Sequence, residues 1–186
     1  MIKIGIVIGS TRPGRKAEGV ARWAFDIALK RKDAEFELVD IADFNLPLLD
    51  EPMPAMFGQY SHDHTRAWSA KIASFDGYVF VTPEYNHSTS AALKNAIDFL
   101  YHEWNNKAVG FIAYGGAMGA RAVEHLRLVM AELQVATVRA QVGLSLFTDF
   151  ESFTVFKPAE MQQKNVNSML DQVIAWSGAL KPLRNK

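Results

Sequence analysis

The chain of 186 residues contains no cysteine. That absence removes disulfides, thiolate zinc sites, iron–sulfur clusters and thiol nucleophiles together, so any redox chemistry must be supplied by a bound cofactor. The chain also lacks net charge, with 20 Lys and Arg against 20 Asp and Glu, and its cations form no long run. Affinity for nucleic-acid phosphates or acidic lipid heads needs such an excess, so neither nucleic acid nor a membrane is an expected partner. Long apolar runs are missing too. Met1 to Gly9 is far too short to span a bilayer and has no small-residue cleavage pattern behind it, which makes a cytoplasmic location the expectation.

What remains is the composition of an ordered protein, 49% hydrophobic. Its length suits a single domain, residues 1–186, with a substantial core. Apolar, β-branched runs recur at Ile2–Ile8, Phe36–Val39, Gly77–Thr82, Ala108–Tyr114 and, less distinctly, Thr137–Val142. They are continuous rather than alternating, as in strands covered on both faces. Helical periodicity fills the intervals at Ala17–Lys30, His64–Ser74, Ser90–Tyr101 and Met118–Glu132, and returns at Ala159–Ala179. Strict alternation of strand and helix implies right-handed crossovers and an α/β fold with a five-stranded parallel sheet between two helical layers. Phe44–Ser61, with three prolines, predicts a long loop, and the aromatic-rich Leu146–Lys157 fits no regular element.

Function is expected where strands end. Gly9-Ser10-Thr11-Arg12-Pro13-Gly14-Arg15-Lys16 follows the first strand and opens a helix. The carboxyl end of that strand faces the ligand crevice, and the helix N-terminus offers free N–H groups. Two hydroxyls and three cations at one address suit a phosphate monoester better than a solvated turn. A Walker A reading fails because Arg15 and Lys16 stand where Lys and a hydroxyl residue are required. No GxGxxG dinucleotide fingerprint is present.

After the third strand, Thr82-Pro83-Glu84-Tyr85-Asn86 offers flat apolar surface at Pro83 and Tyr85 and hydrogen-bonding edges at Asn86. After the fourth, Gly115-Gly116 permits close backbone approach to a ring, and taken alone reads equally as a plain turn.

Together GSTRPGR, TPEYNHSTSAALKNAIDFL and YGGAMGARAVEHLR resemble the NADPH-dependent FMN reductase family, in one register from Ile2 to about Val138. The resemblance implies a flavodoxin-like three-layer sandwich of strand order 2-1-3-4-5 and a bound FMN. It further implies NADPH or NADH as co-substrate and a homodimer or homotetramer. It places the FMN phosphate at Ser10, Arg12, Arg15, Lys16 and the backbone near Ala17. Pro83, Glu84, Tyr85 and Asn86 would line the isoalloxazine ring, and Gly115 and Gly116 would approach its other edge. The expected activity is ping-pong transfer of hydride from nicotinamide through FMN to a small-molecule acceptor: a flavin, quinone, azo compound or metal oxyanion. No side chain is assigned as general acid or base, since the flavin itself carries the chemistry. The competing readings are a flavodoxin-like electron carrier and an FMN-binding regulatory protein.

Other residues carry less. His62 and His64 lack an evident third ligand, so a metal site is not expected. Lys94 and Asp98 are spaced for an exposed ion pair. Trp23 and Trp176 fit apolar helix faces and are expected in the core, while Trp104 suits either internal packing or a subunit interface.

Overall fold

The computed structural model describes residues 1–184. Its strands are β1 (Ile2–Ile8), β2 (Ala34–Asp40), β3 (Gly77–Pro83), β4 (Lys107–Gly115) and β5 (Val135–Ser145). The helices are α1 (Ala17–Ala28), α2 (Asp63–Ala73), α3 (Ala91–Asp98), α4 (Ala120–Glu132) and α5 (Met161–Leu180). Every neighbouring pair in the large sheet is parallel, in the flavodoxin-like order β2-β1-β3-β4-β5. No helix among the described residues is long and apolar enough to cross a membrane.

Two cores explain the continuous hydrophobicity of the strands. β3 is buried at every position, yet its side chains still alternate. Val79 and Val81 join Ile4, Ile6 and Ile8 beneath α1 and α5, while Tyr78 and Phe80 join Trp68, Leu93 and Leu126 beneath α2, α3 and α4. The period of two persists, but both phases are apolar because both faces are covered. Trp104 lies wholly in the second core, with Nε1 donating to Ile97 O at 3.2 Å, which settles its role as internal packing. Trp23 is half-buried against the edge of Phe156. Trp176 corrects expectation: it is 49% exposed, on the outer side of α5.

The indistinct fifth strand has a physical cause. β4 advances two residues, Val109 to Phe111, while β5 advances four, Thr137 to Gln141, so β5 bulges. The bulge breaks the side-chain alternation that sequence reading depends on. Its freed backbone groups are met by side chains: Arg127 Nη1 donates to Val138 O at 2.9 Å, and Ala140 N–H donates to Gln172 Oε1 at 2.9 Å.

The 44–61 segment is a loop as expected, with short 3₁₀ turns at Ile41–Phe44 and Ala55–Phe57. It is tied to the body by Asn95, whose Nδ2 donates to Pro47 O at 2.6 Å and whose Oδ1 accepts Leu49 N–H at 2.9 Å. The imidazoles of His62 and His64 stack on one another, and His64 Nε2 lies 3.0 Å from Asp50 Oδ1. Lys94 and Asp98 form the expected pair at 2.7 Å. Leu146–Lys157 resolves into a small antiparallel hairpin, β6 (Phe150–Glu151) and β7 (Val155–Phe156).

At the end of the sheet remote from the strand-terminal loops, Lys107 is buried beneath the C-terminus of α2. Its ammonium donates to Ile72 O at 3.0 Å, Ala73 O at 3.3 Å and Tyr78 Oη at 2.8 Å. Loss of water, with Arg184 adding to it, pushes its pKa down to about 7 against the pull of Asp76 and Glu103. A folded-state pKa below the unfolded value means that the unfolded chain holds more protons above neutrality. Stability therefore rises with pH from about 7 until the unfolded lysine titrates near 10.5. Urea unfolding at pH 7, 8 and 9 is expected to show an increasing midpoint, and Lys107→Met is expected to flatten that dependence.

Candidate functional site

The site begins where β1 runs out. Arg15 N–H donates to Arg12 O at 3.0 Å, closing a turn with Pro13 second and Gly14 third. Gly14 has φ +68°, so the residue order and the positive φ are those of a type II turn. Lys16 then occupies the N-cap of α1 with no side-chain capping bond. The N–H groups of the first helical turn have no intrahelical acceptors, and the helix dipole places positive potential there. Arg12 is exposed and Lys16 half-exposed, so both ammonium and guanidinium are available.

Arg15 behaves differently from its neighbours. Its fork is engaged by Asp40 at the end of β2, with Nη1 to Oδ1 at 2.9 Å and Nη2 to Oδ2, and Nη1 also donates to Ser10 O at 2.5 Å. The guanidinium thus ties β2 to the loop after β1 while remaining on the cavity wall. Ser10 is buried, with Oγ accepting a long bond from Arg12 N–H at 3.4 Å, and Ala17 is fully buried.

The loop after β3 is held from two sides. Glu84 N–H donates to Tyr114 O at 3.0 Å, extending the ladder one residue beyond Pro83. Tyr85 and Ser88 exchange backbone bonds at 2.9 and 3.0 Å, with Asn86 at φ +49° and His87 at φ +68°, a two-residue turn of type I′ form. The Glu84 side chain turns to α4: Oε2 accepts Arg121 N–H at 3.1 Å and Oε1 accepts Arg121 Nε–H at 2.6 Å. Gly119 supplies no cap of its own, so Glu84 caps α4 from another loop. Gly119 is required there, because it sits at φ +69° and a Cβ would collide with Ala113 Cβ and the Tyr114 backbone nitrogen.

These loops enclose a cavity of about 280 Å³. Arg12, Gly14, Arg15 and Lys16 make one wall, Pro83, Glu84 and Tyr85 a second, and Tyr114, Gly115, Leu146 and Phe153 a third. Residues 2–149 match the family model described as NADPH-dependent FMN reductase. The chain belongs to this family. It is 43% identical over 159 residues to an NAD(P)H-dependent FMN reductase of Nectria, covering 80% of this chain and 79% of that one. An NAD(P)H:quinone oxidoreductase of Solanum tuberosum is 34% identical over 176 residues, covering 88% and 87%. In fold, the chain is like the flavoenzyme NAD(P)H:(acceptor) oxidoreductase FerB of Paracoccus denitrificans, with a TM-score of 0.73 and 19% identity over 96% and 98% of the two chains. NADPH-dependent FMN reductases are oxidoreductases that work with FMN and NAD(P)H, and this chain is one of them.

The donor set of the cavity fits FMN. A phosphate monoester needs cations and N–H donors, and the first wall offers Arg12, Lys16 and an uncapped helix. The acidic residue on the second wall is neutralised, since Arg121 holds the Glu84 carboxylate. Of the residues expected from sequence, Arg12, Arg15, Lys16, Pro83, Glu84, Tyr85 and Gly115 line the cavity. Ser10, Ala17, Asn86 and Gly116 lie behind or beside it, Ser10 and Ala17 buried and Asn86 and Gly116 exposed. Gly115 is confined: a Cβ there would stand 3.2 Å from Glu84 Cβ.

Besides Gly14 of the loop after β1, three cavity residues fell outside the expected set: Tyr114, Leu146 and Phe153. Burial raises the pKa of Tyr114, and its neighbour Tyr85 adds to the effect, so its phenol stays protonated and offers a hydroxyl rather than a charge. A lone tyrosine at the end of the otherwise apolar Phe111-Ile112-Ala113-Tyr114 run was the available signal. Leu146 and Phe153 had none, because the hairpin that carries them depends on Asp149. That buried carboxylate accepts Ser145 N–H at 2.9 Å and Ala159 N–H at 3.0 Å, and the Asp149 carbonyl accepts Lys157 N–H at 2.8 Å. One residue thus ties down both ends of the 146–158 segment. Asp149→Ala leaves buried N–H groups unpaired and is expected to cost about 2–4 kcal/mol of stability. Amide exchange should accelerate first within 146–158, a pattern that a general loss of stability would not produce.

Proposed function

We propose that this reductase holds one FMN in the cavity at the ends of β1, β3 and β4 and passes electrons from NADPH or NADH to a small planar acceptor by a ping-pong cycle. The observation that carries the proposal is the asymmetry of the cavity, cationic where α1 begins and flat or apolar where β3 and β4 end. When bound, FMN supplies a two-electron carrier that accepts hydride from one substrate and delivers it to the next. Arg12 and Lys16 with the first turn of α1 hold its phosphate, and buried Ser10 and Ala17 shape that loop. Arg15, braced by Asp40, contributes one face of its guanidinium. Pro83 and Tyr85 support the ring, Asn86 sets the turn behind it, and Gly115 and Gly116 let backbone approach the far edge. Glu84 serves through Arg121, whose guanidinium neutralises the carboxylate at the cavity wall. No side chain in the cavity is assigned proton transfer.

Quinones are the acceptor class favoured, since a relative sharing most of the chain is an NAD(P)H:quinone oxidoreductase. Flavins and azo compounds have the same planar, conjugated form. The 186 residues act as one FMN-binding domain in this reading, located in the cytoplasm and assembled as a homodimer or homotetramer.

The test is a visible spectrum after FMN addition and gel filtration, followed by anaerobic NADPH. Retained yellow colour that bleaches is the expected result. Colour that NADPH leaves unchanged points instead to a carrier or regulatory protein, and absence of retained flavin overturns the proposal. Arg12→Ala removes a charge-assisted contact to phosphate and should weaken FMN binding roughly 10- to 100-fold by fluorescence titration.

A further inference from the structure

The β6–β7 hairpin carries a feature that FMN binding does not account for. Its turn, Glu151 to Thr154, is closed by Thr154 N–H donating to Glu151 O at 3.0 Å, with Ser152 at φ +48° and Phe153 at φ +59°. Two consecutive left-handed positions belong to glycine, asparagine or aspartate, and a bulky side chain there carries backbone strain. The chain places phenylalanine there nonetheless, 55% exposed and on the wall of the cofactor cavity. Strained positions of this kind cluster at binding sites.

Phe153 does not stand alone. Its ring meets Phe147 edge-to-face at 5.5 Å between centroids, and Phe147 is 68% exposed. Phe147 in turn faces Gly116, where a Cβ would lie 3.9 Å from its ring. Leu146, on the cavity wall, continues the apolar surface toward Gly115, whose carbonyl accepts Leu146 N–H at 3.2 Å. An aromatic pair therefore extends the third wall outward into solvent. Asp149 anchors the segment at both ends, so the rings are carried on a braced hairpin.

We infer that Phe153 and Phe147 form the acceptor subsite, a two-ring shelf that takes a neutral, planar, conjugated molecule. The inference rests on the proposed FMN reductase reading and names the residues that choose its second substrate. The rings decide the occupant. Leu146, Phe147 and Phe153 present apolar surface beside Gly115 and Gly116, while Arg15 and Lys16 border the hairpin at Thr154 and Phe156. An uncharged quinone gains edge and face contacts with both rings.

Phe153→Gly is the informative variant, because glycine adopts the turn without strain and the hairpin is retained. Phe147→Ala is the second, at a position with no positive φ. FMN-loaded wild-type and variant proteins would be titrated calorimetrically with coumarin, a planar molecule standing for the acceptor. Steady-state rates would be measured with an uncharged naphthoquinone and with NADPH as varied substrates. The expected result is about a tenfold weaker coumarin affinity in each variant, with the naphthoquinone KM rising at least five times more than the NADPH KM. Unchanged coumarin affinity overturns the inference, as does an equal rise in both KM values. A fall in assembly size with coumarin affinity retained also overturns it, assigning the rings to contact with a second copy. Wild-type protein that fails to retain FMN would remove the underlying reading, whereas retained FMN with insensitive variants removes this inference alone.

Discussion

Parallel pairing of β1 with β2 on one side and β3 on the other is the constraint on which the site depends. Chain connections leave β1 in opposite senses across this point, so the loops after β1 and β3 diverge and leave a crevice between them. Three devices keep it open. Arg15 bridges the β1 loop to Asp40 at the end of β2, Glu84 fastens the β3 loop to α4, and Asp149 fastens the hairpin after β5. The first two join segments distant in sequence and the third closes a local segment, all by charge-assisted hydrogen bonds, which are stronger than neutral ones and more directional.

The disposition of carboxylates determines the electrostatics. Asp40, Glu84 and Asp149 all lie on elements that build the cavity or its rim, and each is committed to a guanidinium or to backbone N–H groups. Arg12 and Lys16 have no such carboxylate partner among the described residues. The cavity therefore stays cationic at one end although the protein as a whole is neutral. Net charge says little about a site when cations and anions are sorted by position.

Much of the fold was legible because strand and helix differ in period and the strand-bounding residues are Gly, Pro, Asp and Asn. Four strands lie within a residue or two of their expected bounds, and the fifth is longer than expected because its bulge disrupts the pattern. The hairpin at 150–156 was invisible: its strands are two residues each, too short for periodicity, and its turn uses Ser152-Phe153 where glycine would have marked it. Trp176 misled for a related reason, since a helix lying on one core still exposes its opposite face, and apolar content alone does not say which face a tryptophan occupies.

The sequence by itself determined the alternation of elements and, through it, the parallel sheet and the loops that face a ligand. It also determined the residue types at those loops: cations after β1, flat side chains after β3, glycines after β4. Tertiary structure decided which of them meet. It bound Arg15 to Asp40, joined Glu84 to α4 as a cap, and brought Tyr114 and Phe153 into the wall of the same cavity as the cations. The physical reason is range. Periodicity and turn chemistry act over a few residues and are written locally, whereas a charge pair or a wall contact depends on where distant segments come to rest.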